Sequence, residues 1–302
     1  MIHNRITDVL RDEGPLTGAQ LAEATGMEVF ALWSACRKIS EIRFEIVGAR
    51  FLRLDRAVHG YARLSPSIRR EFLTYTLLGL ENHNQQLEAT ARTLKDRIEE
   101  VSRAKLELAR GSMASTVESL EERATILEKA CFIIAGDVVY NMSHTVPRPE
   151  QSTGEMVRGS DLDIIAIVDD DLPEDLYRAL DKAIYRKKHF LLVHPDFREE
   201  IDYILKNVAR VREQLRFDSF ESMVACKILR EGTLLLGSES IFALVKNMLE
   251  ERGIPSRLDE MERQALLDRQ LAEKHLLELP AQAIDSQSIH LFYTREESEE
   301  IY

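Results

Sequence analysis

The chain has 302 residues and is 44% hydrophobic and 30% charged, which suits two or three soluble globular domains with sizeable cores. Its formal net charge of −12 excludes bulk, sequence-independent coating of nucleic acid, though not a local basic patch. Cys36, Cys131 and Cys226 are far apart, lack metal-ligand spacing and read as reduced thiols; with no membrane-length apolar run and no signal-peptide block, a cytoplasmic protein is expected.

Residues 1–60 read as a winged-helix domain. A first helix covers Ile6 to Asp12 and ends near Gly14-Pro15. Thr17 caps a second, Gly18 to Thr25, which Gly26 stops. Glu28 to Ile39 forms a third, with Leu32, Trp33 and Ile39 on its apolar face. Arg43–Val47 and Arg50–Leu54 are expected to pair as a hairpin about Gly48-Ala49, the wing. The run Leu16-Thr17-Gly18-Ala19-Gln20-Leu21-Ala22, followed by Thr25-Gly26-Met27, resembles helix-turn-helix sequences. There the third helix enters a major groove, and Arg37, Lys38, Arg43, Arg50 and Arg53 would contact phosphates of duplex DNA. The other reading is a protein-docking or oligomerisation module, and the acidic chain favours it.

Residues 61–112 read as a helical, coiled-coil-like connector. Leu73, Leu77, Leu80, Asn84, Leu87, Ala91, Leu94, Ile98, Val101, Lys105 and Leu108 recur in steps of four and three, a heptad seam interrupted by Asn84 and Lys105. The seam would pair two subunits in a homodimer or fold back on the chain. Gly111-Ser112 is expected to break the helix, and a second one, Met113 to Ala130, leads into the strand Cys131-Phe132-Ile133-Ile134.

The most informative stretch is Arg158-Gly159-Ser160-Asp161-Leu162-Asp163-Ile164-Ile165-Ala166-Ile167-Val168. It reads as a tight turn running into a strand covered on both faces. Asp161 and Asp163, at i and i+2, would share a face and converge on one point. Two carboxylates there repel unless cations compensate them, and hard oxygen donors suit Mg²⁺ or Mn²⁺ carrying nucleotide phosphates. A third carboxylate is Asp202, in the strand Glu200 to Leu205, which is expected to follow a strand at His189–Val193. Three carboxylates on neighbouring strands suit two cations about 3.5–4 Å apart.

Asp169-Asp170-Asp171 reads as a solvated turn before a helix opened by Leu172-Pro173-Glu174-Asp175. Tyr185-Arg186-Lys187-Lys188-His189 is the most basic run near the site, suited to phosphates or a nucleic-acid product, with a solvated helix end as the other reading. His194 reads as structural. Helices are expected at Ser219–Arg230, Ser238–Glu251 and Ser256–Leu277. Lys227 and Arg230 are candidate triphosphate contacts, with a surface position as the alternative. Ser288–Tyr293 suggests an edge strand, followed by a mobile acidic tail to Tyr302. A phenol on a flexible tether is a candidate nucleophile toward an α-phosphate.

Together these residues resemble the DNA polymerase β-like nucleotidyltransferase superfamily. The resemblance covers residues 113–250 and rests on Ile133-Ile134-Ala135-Gly136, Ser160-Asp161-Leu162-Asp163-Ile164 and Glu200-Ile201-Asp202-Tyr203. It implies an α+β fold, a mixed sheet with helices, as a catalytic core at 113–215, followed by a helical region at 216–280 and a tail at 281–302. It also implies Asp161, Asp163 and Asp202 as metal ligands, with Gly136, Asp137 and Ser160 at the nucleotide. Asp202 would double as general base. Asp137 departs from the pattern, since serine usually follows this glycine. An acid there would repel a triphosphate unless it faces away or joins the metal site. The stretch Asn141–Arg158 reads as an insertion beside the site. The Glu231–Gly237 stretch resembles a glycine-containing bend in related enzymes.

A nucleotidyltransferase motif followed by an acidic tail and Tyr302 is also similar to the nucleotidyltransferases of Hailong anti-phage defence systems. That resemblance implies template-independent synthesis of single-stranded DNA, rich in deoxyadenosine and primed on Tyr302. The substrate would be a dNTP, and the oligonucleotide product would restrain a membrane effector protein. Two alternatives stand beside it. One is transfer of a nucleotide to a protein, tRNA or small-molecule hydroxyl. The other is a non-catalytic winged-helix regulator.

Overall fold

The computed structural model describes residues 2–280, 284 and 288–302. The protein is α+β, 58% helical and 17% strand. It divides into two compact units. One comprises Met1–Arg53, Ala62–Ile98 and Glu262–Tyr302, and the other Leu54–Tyr61 and Glu99–Met261. No helix among the described residues is long and apolar enough to cross a membrane.

In the first unit, helix Ile2–Glu13 leads to strand β1 (Leu16–Thr17), then to helices Gly18–Thr25 and Val29–Lys38. Thr17 and Gln20 form a capping box, and Gly26 ends the helix at φ 58°, as their residue types dictate. Strands β2 (Ile42–Ile46), β3 (Phe51–Leu54), β4 (Ala62–Ser65) and β5 (Thr76–Leu80) follow. The hairpin expected about Gly48-Ala49 does not form. β2 pairs antiparallel with β5 instead, β5 also pairs with β1, and β3 pairs with β4. β5 is buried at all five positions and takes the centre of the sheet. This also removes the start of the predicted seam. Leu77 and Leu80 alternate along a strand and Leu73 lies in a π-helical turn, so the long helix begins only at Asn84.

The predicted edge strand at Ser288–Tyr293 is a helical turn, Ile289–Phe292. It places Phe292 among Phe30 and Trp33, with ring centroids 5.3 and 5.5 Å apart. The tail after it is docked rather than mobile among the described residues. Glu297 is 1% exposed and, with Glu300, pairs with Arg70. Residues 281–283 and 285–287, at the start of the predicted tail, lie outside the described residues.

In the second unit, β6 (Ala130–Ala135), β9 (Leu162–Val168), β10 (Ile201–Asn207) and β11 (Thr233–Gly237) form a four-stranded sheet, with a small hairpin, β7 (Pro147–Pro149) and β8 (Met156–Arg158), inserted between β6 and β9. The order is β10-β9-β6-β11; β9 and β10 are parallel and the other pairs antiparallel. β11 occupies the stretch expected to be a bend.

Gly111-Ser112 does not interrupt helix Asn84–Glu118. The apolar face continues across it as Ala109, Met113 and Val117, all in the core. That burial outweighs the roughly 1 kcal/mol a helical glycine costs. The helix expected from Met113 to Ala130 therefore splits, restarting at Arg123–Lys129. His189–Val193 is not a strand but the last turn of helix Glu174–Val193, whose buried Leu180, Ile184 and Leu191 keep helical spacing.

Candidate active site

β9 is buried along its length except at Asp163. The register sets Asp163 opposite Asp202 on β10 and opposite Ala135 on β6. Residues directly opposite across strands share a face at about 4.5–5.5 Å. Asp163, Asp202 and the end of β6 therefore form one row, and Asp202 lies exposed on the edge strand.

Gly136 follows β6 at φ +70°, a conformation open to glycine. A Cβ on Gly136 would overlap the Asp163 carboxylate. The Gly136 N–H donates to Glu231, 3.2 Å, and Tyr140 donates its hydroxyl to the same carboxylate, 2.7 Å. Lys227 pairs with Glu231 at 2.6 Å. Lys227 thus sits at the site, whereas Arg230 turns away to pair with Asp259. Glu231 is the residue that sequence reading missed here. The i, i+4 spacing of Lys227 and Glu231 was its signal.

Asp137 faces inward. Its Oδ2 accepts a hydrogen bond of 2.7 Å from the Ser160 hydroxyl. The Ser160 N–H donates to the His144 carbonyl at 3.1 Å and the His144 N–H donates to the Ser160 hydroxyl at 3.2 Å, which stitches the β9 entrance to the inserted loop. Gly159 (φ +69°) permits this, since a Cβ would run into the His144 carbonyl.

Asp163 is pushed up to about 7, first by burial and then by the charges of Asp202, Asp137 and Glu231, with Lys227 pulling the other way. Four carboxylates thus crowd one strand end.

Asp161 does not join them. β9 begins one residue later, and the Asp161 carboxylate pairs with Arg148 of β7. Arg148 also holds Glu200 at 2.9 Å and donates to the Gly159 carbonyl at 3.3 Å. The convergence of Asp161 and Asp163 expected from their i, i+2 spacing is thereby replaced by an internal ion pair. Among the described residues, no group of three acidic, histidine or cysteine side chains is arranged to hold a metal ion. The donor chemistry nevertheless fits a hard divalent cation. Asp163 and Asp202 stand side by side, and burial first, then the neighbouring carboxylates, favour the protonated form of Asp163 that a bound cation would displace.

Lys105 belongs to this neighbourhood and not to a heptad seam. It is 4% exposed, donates to the Arg158 carbonyl at 2.9 Å and pairs with Glu199 at 2.5 Å. Burial lowers its pKa although Glu199 opposes this. Asp170 caps helix Val208–Gln214 by accepting from the Ala209 N–H, 2.6 Å, and pairs with Arg212, 2.8 Å. His194 caps helix Glu174–Val193 and stacks between Phe190 and Phe197.

Tyr302 lies in the first unit. Its ring is 42% exposed, while its hydroxyl lies 2.9 Å from Thr74 Oγ1 and 3.0 Å from Glu300. Burial of the hydroxyl, and then Glu300, raise its pKa, opposite to what an activated nucleophile needs.

Comparison of the chain with protein-family models, curated proteins and solved structures returned no match.

Proposed function

We propose that the second unit is a metal-dependent nucleotidyltransferase. The observation that carries this reading is the cross-strand pair Asp163–Asp202 beside the Gly136 turn. The parallel β9–β10 pair flanked by antiparallel β6 supports it, because it brings the three segments to one sheet end.

Asp163 and Asp202 would hold Mg²⁺ or Mn²⁺, which when bound offsets triphosphate charge. Lys227 supplies a cation beside the turn. An acceptor hydroxyl attacks the α-phosphorus, a new P–O bond forms, and the bond to pyrophosphate breaks. The exposed Asp202 carboxylate accepts the hydroxyl proton. The acceptor we propose is Tyr302, extended by deoxynucleotides into a single strand, in keeping with the anti-phage resemblance. Tyr302 must first leave Thr74 and Glu300. We read the first unit as a winged helix in which β5, not the strand after Gly48-Ala49, returns to the sheet; its helix–strand–helix–helix order supports this.

Intact-protein mass spectrometry after incubation with Mg²⁺ or Mn²⁺ and each NTP and dNTP in turn tests both parts. A ladder of nucleotide additions that disappears in Asp163→Ala and in Tyr302→Phe is the expected result. A ladder surviving Tyr302→Phe moves the acceptor elsewhere. No transfer to the protein or to added hydroxyl acceptors would overturn the reading.

A further inference from the structure

The outer face of helix Glu174–Val193 takes no part in the site above. Lys182, Tyr185, Arg186, His189, Phe190 and Val193 recur in steps of three and four, which gathers them on one face about 140° wide. Leu180, Ile184 and Leu191 occupy the opposite, buried side. Tyr185 is 60% exposed and Phe190 44%. From Lys182 onward the helix holds no acidic residue. Among the described residues, Lys182, Arg186, Lys187 and Lys188 make no ion pair, whereas Arg178 of the same helix pairs with Glu174 at 2.9 Å. In a chain of net charge −12, four such cations on one helix are a local exception, and two of them, Lys182 and Arg186, lie on the exposed face.

The helix dipole accounts for cations in the last turn only. It does not explain Lys182 and Arg186, which lie earlier, nor the exposed rings. Phe190 packs at a tilt against His194 and Phe197, at centroid separations of 4.9 and 5.8 Å, and Lys187 sits 5.6 Å over its ring. Flat apolar rings interleaved with cations match a polyanion that also offers flat apolar faces. Single-stranded nucleic acid has that chemistry, with phosphates for the cations and unpaired bases for the rings. A duplex hides its base faces and would use the cations alone.

We propose that this helix face binds single-stranded nucleic acid, with Lys182 and Arg186 on the phosphates and Tyr185 and Phe190 stacking bases. The test is fluorescence anisotropy of a short labelled single-stranded DNA with the full chain. Metal and nucleotide triphosphates are omitted, so the result does not depend on any transfer reaction. Wild type should bind with salt-sensitive affinity. Lys182→Glu with Arg186→Glu should weaken binding at least about tenfold and flatten the salt dependence by about 1.4 log units per log unit of salt. Tyr185→Ala and Phe190→Ala should each weaken it about fivefold to a hundredfold with the salt slope unchanged. These positions are surface ones; if the charge reversals unfold the protein, Lys182→Gln with Arg186→Gln replaces them. Absence of salt-sensitive binding, equal binding by the variants, equal affinity for duplex, or preference for phosphatidylserine vesicles would each overturn the proposal.

Discussion

Arg148, on the hairpin inserted between β6 and β9, pairs with both Asp161 and Glu200. The protein thus supplies its own paired cation to one carboxylate of the Asp-x-Asp pair, while Asp163 feels Lys227 only at a distance. Arg148→Ala should destabilise the metal-free protein by about 1–3 kcal/mol, chiefly because the largely buried Glu200 loses its partner, while the more exposed Asp161 contributes less. Freed Asp161 can then share a divalent ion with Asp163. Thermal unfolding in EDTA and in Mn²⁺ should show a drop that Mn²⁺ partly reverses, beyond any shift Mn²⁺ gives wild type.

Gly136 carries two constraints, its positive φ and the Asp163 carboxylate where a Cβ would go. Gly136→Ala should cost about 2–4 kcal/mol, more than the strain of a left-handed alanine alone. Gly111→Ala, where nothing lies within 4 Å of an added Cβ, should instead stabilise by about 0.5–1 kcal/mol. Urea midpoints of the two variants should move in opposite directions.

Asp163 sits among like charges, so its ionised form strains the fold. Asp163→Asn should raise the melting temperature by a few degrees at neutral pH and, on the proposed function, abolish nucleotide transfer. A variant that loses stability would show that the acidic cluster is already compensated.

Burial pushes Glu297 up, but Arg70, Arg53 and the N–H groups of Ser67 and Thr294 outweigh it and hold the carboxyl at about 2. A depressed carboxyl stabilises the fold above its unfolded value near 4.5, and that contribution fades as pH falls toward about 2. The docked tail should therefore loosen below about pH 4.5. Glu297→Gln should loosen it at neutral pH, at a cost of about 3–5 kcal/mol for leaving Arg70 without this partner. Limited proteolysis near the tail reads out both.

Much of this was legible locally. Thr17, Gln20 and Gly26 mark a helix by backbone chemistry alone, and the run after Leu162 has no reading other than a covered strand. What failed depended on partners distant in sequence. His189–Val193 is a short apolar run, which periodicity cannot assign until Leu180 and Ile184 extend it into a helix. β5 looked like helix because Leu73, Leu77 and Leu80 fit a heptad, yet pairing with β1 and β2 decided its form. At the site, the spacing of Asp161 and Asp163 was real. Their separation arises from Arg148, an arginine thirteen residues upstream of Asp161 that no local rule connects to it.

Asp202 lies on β10, which among the described residues is an edge of its sheet. Such an edge invites strands from other molecules, and a charge on it discourages them. The same carboxylate therefore guards against self-association. Neutralising it as Asp202→Asn should change colloidal behaviour together with the proposed chemistry, and aggregation would imitate loss of that activity. Light scattering should accompany every assay of that variant, and Asp202→Glu, which keeps the charge while displacing the oxygens, is the cleaner probe of the two.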